Sequence, residues 1–147
     1  MIEELTIRQL QEDDLDAVCR LEEKTFSMPW QRKDFEGMIE QDHLLYLVAV
    51  FGNIIVGGCG LREIVGEGEI TNVAVDEAYR NRGVGKKMLD RLLEYGTEMG
   101  ITAFTLEVRQ GNAAAVHLYE KLGFVSEGIR KNFYEKPRED ALIMWKR

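Results

Sequence analysis

Two cysteines, two histidines and two prolines are all that this 147-residue chain holds of each, and the scarcity removes several classes of protein. Cys19 and Cys59 form no Cys-x-x-Cys pair, and His43 and His117 stand apart, so no zinc-ligand spacing is present and no metal is expected. Both thiols read as reduced core residues, and neither sits in a motif that suggests a nucleophile. The opening Met1-Ile2-Glu3-Glu4-Leu5-Thr6 lacks the basic-then-apolar order of a signal peptide, which leaves the cytoplasm as the expected compartment. Long uncharged runs are also rare. Leu44 to Leu61 is the one stretch of 18 residues without a charge, long enough to raise a membrane helix. Gly52-Asn53 in its middle, three later glycines and the β-branched residues around them predict instead two strands joined by a tight turn, with no membrane contact.

Basic side chains are scarce in the first half. Residues 1–77 carry 6 basic and 17 acidic groups, a balance of −11, while residues 78–147 carry 13 and 9, a balance of +4. A basic second half suits a polyanionic cofactor and an acidic first half suits a basic substrate, although either charge could equally be solvated surface. The net charge of −7 argues against nucleic acid as a direct partner. Length and an apolar fraction of 45% describe one ordinary globular domain, residues 1–147.

The stretch from Asn72 to Lys87 organises the rest. Asn-Val-Ala-Val is a β-branched run that suits a buried strand, and Gly83-Val84-Gly85-Lys86-Lys87 opens a helix. Gly83 and Gly85 permit a tight bend and close approach to the first helical amides, which lack intrahelical acceptors and lie at the positive end of the helix dipole. Arg80, Arg82, Lys86 and Lys87 add charge around the same turn, a combination suited to a diphosphate. A Walker loop fails here, because Arg80 stands where its first glycine belongs and Lys87 where its Ser or Thr belongs. A dinucleotide fingerprint fails at Met88.

Hydrophobic periods give the remaining order. A strand is predicted over Leu5 to Leu10, then an amphipathic helix from Asp14 to Phe26 with its Glu22-Glu23 side in water. A second short helix follows over Gln31 to Glu40. Strands are predicted at Leu44–Phe51 and Ile54–Glu63, a turn at Gly66-Glu67-Gly68, and a strand at Glu69–Val75. A helix over Gly83 to Met99 ends at Gly100, and Thr102–Val108 is the next strand. Asn112 caps a helix that Gly123 closes, and a strand pair completes an α/β plan on a mixed sheet. The strands joined by the long helix should run parallel, with ligands beyond their carboxyl ends.

Arg80-x-x-Gly83-x-Gly85 fits the Arg/Gln-x-x-Gly-x-Gly/Ala pattern of the GNAT superfamily of acyl-CoA N-acyltransferases, which the chain resembles. Leu106-Glu107-Val108-Arg109, Asn112-Ala113-Ala114-Ala115 and Leu118 to Phe124 extend the likeness to the ribosomal-protein-alanine N-acetyltransferases, the RimI family. Phe26-Ser27-Met28-Pro29-Trp30, Arg130 to Tyr134 and Arg138 to Ala141 carry it over nearly the whole length. The resemblance implies the GNAT fold, a mixed and mostly antiparallel sheet flanked by helices. It implies acetyl-CoA as donor and the α-amine of a protein as acceptor, in particular the N-terminal alanine of a basic small-subunit ribosomal protein; the enzyme itself is expected to be a monomer. It implies cofactor contacts at Val73, Ala74 and Val75, at Arg80, Asn81, Arg82, Gly83, Val84, Gly85 and Lys86, and at Asn112 and Tyr119. It makes Glu107 the proton acceptor and Tyr119 the donor, and places Met28, Pro29, Trp30 and Tyr134 at the acceptor. The segment Glu135-Lys136-Pro137 is shorter than in some members and should border that acceptor site.

Transfer from a thioester to an amine needs a neutral nitrogen, a sink for its proton and a proton for the leaving thiolate. Glu107 interrupts an apolar strand, where it either serves as that sink or lies on a solvated face paired with Arg109. Tyr119 shares helical spacing with Ala115, Leu118 and Leu122, so it is either a core aromatic or the proton donor. Two rivals share the cofactor turn: an acetyltransferase of small amines or lysine side chains, and a non-catalytic acyl-CoA-binding regulator.

Overall fold

The fold is a computed structural model that describes residues 4–147; Met1, Ile2 and Glu3, on which part of the leader reading falls, lie outside the described residues. Strand β1 (Leu5–Gln9) leads into α1 (Leu15–Thr25) and α2 (Arg32–Glu40), then β2 (Leu44–Phe51), β3 (Ile54–Ile64) and β4 (Glu67–Val75). Helix α3 (Val84–Glu98), β5 (Ala103–Arg109), α4 (Ala113–Lys121), β6 (Val125–Glu135) and β7 (Arg138–Lys146) follow. The seven strands form one sheet in the order β1-β2-β3-β4-β5-β7-β6. Every neighbouring pair is antiparallel except β4 with β5, the two strands that α3 connects.

Side chains of β2 alternate between two cores, as a strand buried on both faces must. Leu45, Leu47 and Ala49 pack with Val84, Met88, Leu89 and Leu92 of α3. Tyr46, Val48 and Val50 pack with Leu15 and Val18 of α1 and Phe35 and Met38 of α2. Charge-free Leu44 to Leu61 is thus a hairpin of two interior strands, and no described helix is long and apolar enough to cross a membrane. Cys59 lies in the first core and Cys19 beside the second, both as free thiols.

Two expectations need correction. The turn before β4 is made by Val65 and Gly66, both at positive φ, so Glu67 and Gly68 already belong to the strand. Asp14 is the N-cap residue of α1, and its buried carboxylate accepts from the Gln11 N–H at 2.8 Å and pairs with Arg8 at 2.7 Å. That pair pulls the Asp14 carboxyl below its usual range, chiefly through the Arg8 hydrogen bond. Glu22, expected in water, is buried. Its position explains why: Leu15, Val18 and Glu22 are spaced by three and four residues, which is one stripe of a helix, and that stripe faces the sheet.

Candidate active site

The pairing of β4 with β5 runs only from Glu67–Ala103 to Glu69–Thr105. Beyond it β4 continues to Val75 and β5 to Arg109, so the two strands part. On its other side β4 remains paired with β3, where Ala74 faces Gly58 and the Asp76 N–H reaches Val56 O at 2.7 Å. Antiparallel bonding alternates along a strand, so Ala74 bonds to β3 while the N–H groups of Val73 and Val75 point toward the gap. The Val75 carbonyl takes a hydrogen bond from Arg80 Nε at 3.2 Å. A bulge at Asn72, φ 54°, shifts the register just before this free edge.

At the end of β4 the chain turns through Asn81 and Gly83, both in the left-handed region with φ of 63° and 78°. Gly83 is the N-cap of α3, and no atom would obstruct a Cβ there, so its backbone conformation alone favours glycine. Gly85 is constrained by space instead: a Cβ would meet Leu118 Cδ2 of α4 at 3.2 Å. The first amides of the 15-residue α3 are therefore open to an anion. Of the nearby cations, Arg82 lies over the Tyr79 ring at 5.3 Å and Lys86 pairs with Asp90 at 2.8 Å, while Lys87 has no ion-pair partner among the described residues. This cradle fits a diphosphate. A cleft of about 400 Å³ lined by Leu21, Lys24, Thr25, Asp76 and Arg80 adjoins the turn, not Glu107.

Alternation along β5 turns Phe104, Leu106 and Val108 into the core and Thr105, Glu107 and Arg109 to the opposite face. Glu107 is only part-exposed. Burial raises the proton affinity of its carboxyl first of all; Arg130 opposes that rise and Glu69 adds to it. Arg130 Nε is 3.2 Å from Glu107 Oε2. The contact meets ion-pair distance but not hydrogen-bond geometry, for Oε2 is buried and has no hydrogen-bond partner among the described residues. Arg109, the partner of Glu107 on the solvated-face reading, is engaged elsewhere. It donates to Pro137 O at 2.8 Å and Glu139 Oε1 at 3.3 Å and lies over the Tyr134 ring at 4.3 Å. It thereby holds the β6–β7 turn against the end of β5.

Tyr119 lies on α4, which Asn112 caps by accepting from the Ala115 N–H at 3.2 Å. Its ring packs in the core, edge-on to Phe124 at 6.1 Å. Burial pushes its phenol far above the ordinary value near 10, which keeps it protonated. The Glu107 charge raises the Tyr134 phenol and Tyr134 raises that of Tyr119, in both cases less than burial does. Met28, Pro29 and Trp30 lie on the loop between α1 and α2, with Trp30 edge-on to Phe35 at 5.3 Å. That loop meets β4 through Glu22, whose Oε2 accepts from the Trp30 N–H at 3.1 Å and from Asn72 Nδ2 at 2.9 Å. Glu22, Asn72 and Arg130 escaped the sequence reading; only Glu22 left a signal, its place on the apolar stripe of α1.

A sheet that parts after a short parallel pair, beside a glycine-basic turn into a helix, defines an acyl-CoA-binding N-acyltransferase. Residues 15–124 match the Acetyltransferase (GNAT) family, and the chain belongs to that family. It is 34% identical over 141 residues, 95% of each chain, to the ribosomal protein bS18-alanine N-acetyltransferase of Escherichia coli (strain K12). The crystal structure of the ribosomal-protein-S18-alanine N-acetyltransferase from Escherichia coli superimposes with a TM-score of 0.88 at 32% identity, covering 97% of this chain and 93% of that one. Ard1 from Thermoplasma volcanium superimposes at 0.87 with 26% identity, over 97% and 96%.

Replacing Gly85 with Val should displace α4 through Leu118 and crowd the α3 amides. Calorimetry should then find the acetyl-CoA Kd raised by about tenfold or more, or about 1.4 kcal/mol. Unchanged affinity would remove this turn from cofactor binding.

Proposed function

We propose that this protein moves an acetyl group from acetyl-CoA to the α-amine of a protein N-terminus, in particular the N-terminal alanine of a ribosomal protein of the S18 class. The observation that carries the reading is the placement of Glu107 on β5 just beyond the point where β4 and β5 part, in a chain alike over 95% of its length to an enzyme of that name. The N–H groups of Val73 and Val75 hold the pantetheine arm as an added strand, with Ala74 as the spacer between them. Arg80, Asn81, Arg82, Gly83, Val84, Gly85 and Lys86 surround the pyrophosphate, and Asn112 adds a further contact. Met28, Pro29, Trp30 and Tyr134 border the acceptor.

The reaction is a direct transfer. The amine nitrogen forms a bond to the thioester carbonyl carbon and its proton passes to Glu107, whose partial burial makes it a better base than an exposed glutamate. The carbon–sulfur bond then breaks, and the thiolate takes a proton from Tyr119. Burial keeps that phenol neutral until the thiolate forms beside it. No covalent enzyme intermediate is required.

The basicity of Glu107 sets a pH dependence. Its raised proton affinity means that it gains activity as pH rises and deprotonates it, and the amine gains nucleophilicity over a higher range. Glu107→Gln should lower turnover by about 10²-fold near neutral pH, with a smaller deficit at high pH where the amine is already neutral. Tyr119→Phe should slow transfer while acetyl-CoA still binds. Full activity of both variants across the pH range would overturn the proton assignments.

An α-amine is also the chemically easier acceptor. With an ordinary value near 7.8 it is about 14% neutral at pH 7, against about 0.04% for a lysine near 10.4. The acidic first half steers a basic chain from a distance, since acids touching the nitrogen would keep it protonated. A basic peptide with a free N-terminal Ala and an internal Lys should be acetylated at its α-amine, less so with added salt. The same peptide with a blocked N-terminus should be nearly inert in mass spectrometry. Equal lysine labelling of both peptides would favour the lysine-acetyltransferase alternative.

A further inference from the structure

Glu22 has no part in the proton transfers above, yet it is the most deeply buried carboxylate among the described residues, with 2% of its surface exposed. A buried carboxylate without a cation is costly, and an apolar side chain on this stripe of α1 would pack without that cost. No cation pairs with Glu22 among the described residues; its partners are two neutral donors from two distant elements. Oε2 accepts the Trp30 backbone N–H at 3.1 Å and Asn72 Nδ2 at 2.9 Å. A single oxygen therefore fastens the α1–α2 loop to the bulge of β4.

Both ends of this link are placed where they matter. Asn72, at φ 54°, immediately precedes the free edge of Val73 and Val75. Trp30 is held a second time by its ring, which stacks edge-on against Phe35, itself edge-on to Tyr46 at 5.3 Å. Fixed at Trp30 by backbone and ring, the loop presents Met28, which is 60% exposed. From this geometry we infer that Glu22 is a positioning residue for the acceptor: it sets the α1–α2 loop relative to the cofactor edge of β4, and so fixes where an incoming peptide end meets the thioester. The inference rests on the N-terminal acetyltransferase reading.

A residue that only stabilised the fold would weaken every ligand together, whereas a positioning residue of this kind acts on the peptide alone. The full chain should be assayed with a peptide bearing a free N-terminal Ala at saturating acetyl-CoA, with acetyl-CoA affinity measured separately by calorimetry. Glu22→Ala should raise the peptide KM about tenfold or more while the acetyl-CoA Kd stays within about threefold of the parent. Glu22→Gln keeps a carbonyl oxygen able to accept both bonds, and should restore the peptide KM to within about threefold. Asn72→Gly keeps the left-handed turn and removes one donor; it should raise the peptide KM about threefold or more, and decides the matter if Glu22→Ala does not fold. An unchanged peptide KM in the folded variants would overturn the inference, as would an acetyl-CoA Kd that rises in step with KM. Failure of the parent enzyme to acetylate any N-terminal peptide is a distinct result, which refutes the proposed activity and this inference with it.

Discussion

Three residues of parallel pairing, Glu67 to Glu69 of β4 against Ala103 to Thr105 of β5, set the arrangement of the rest of the molecule. Up to Thr105 the two strands share a sheet, and beyond it they diverge. The divergence leaves polar backbone groups of β4 without a strand partner, and such groups must find acceptors and donors elsewhere. The same point brings the basic turn into α3 to one side of the gap and Glu107 to the other. An extended arm bearing amides and ending in a diphosphate has the right form for that space: amides for the strand edge, charge for the helix N-terminus.

The electrostatics follow from how each group is enclosed. Glu107 is buried enough to hold its proton more tightly than an exposed carboxylate, and Arg130 is close enough to limit that rise. Tyr119 is enclosed by the core, which keeps it neutral. The two groups sit on different elements, β5 and α4, and each couples electrostatically to Tyr134. Arg109 serves structure rather than charge balance, since it ties the β6–β7 turn to β5.

Local rules account for most of what the sequence made legible. The β-branched runs around Gly52-Asn53 are the β2–β3 hairpin, inside the sheet. Gly100 and Gly123 sit at positive φ after their helices, and Asn112 caps α4 through its side chain. What stayed hidden depended on contacts between distant segments. Arg130 reaches Glu107 only because β7 lies between β5 and β6, so no spacing along the chain could choose it over Arg109, two residues away. Glu22 was set in water because carboxylates on helices usually face solvent. The helical stripe from Leu15 through Val18 had already placed it inside, but its donors, Trp30 and Asn72, are 8 and 50 residues distant.

The free edge of β4 can be examined directly by amide hydrogen exchange, with and without saturating acetyl-CoA. Docking of the pantetheine arm as an added strand requires that Val73 and Val75 become protected while Ala74, already bonded to β3, changes little. Unchanged exchange at Val73 and Val75 in the presence of bound acetyl-CoA would contradict the proposed use of the gap between β4 and β5.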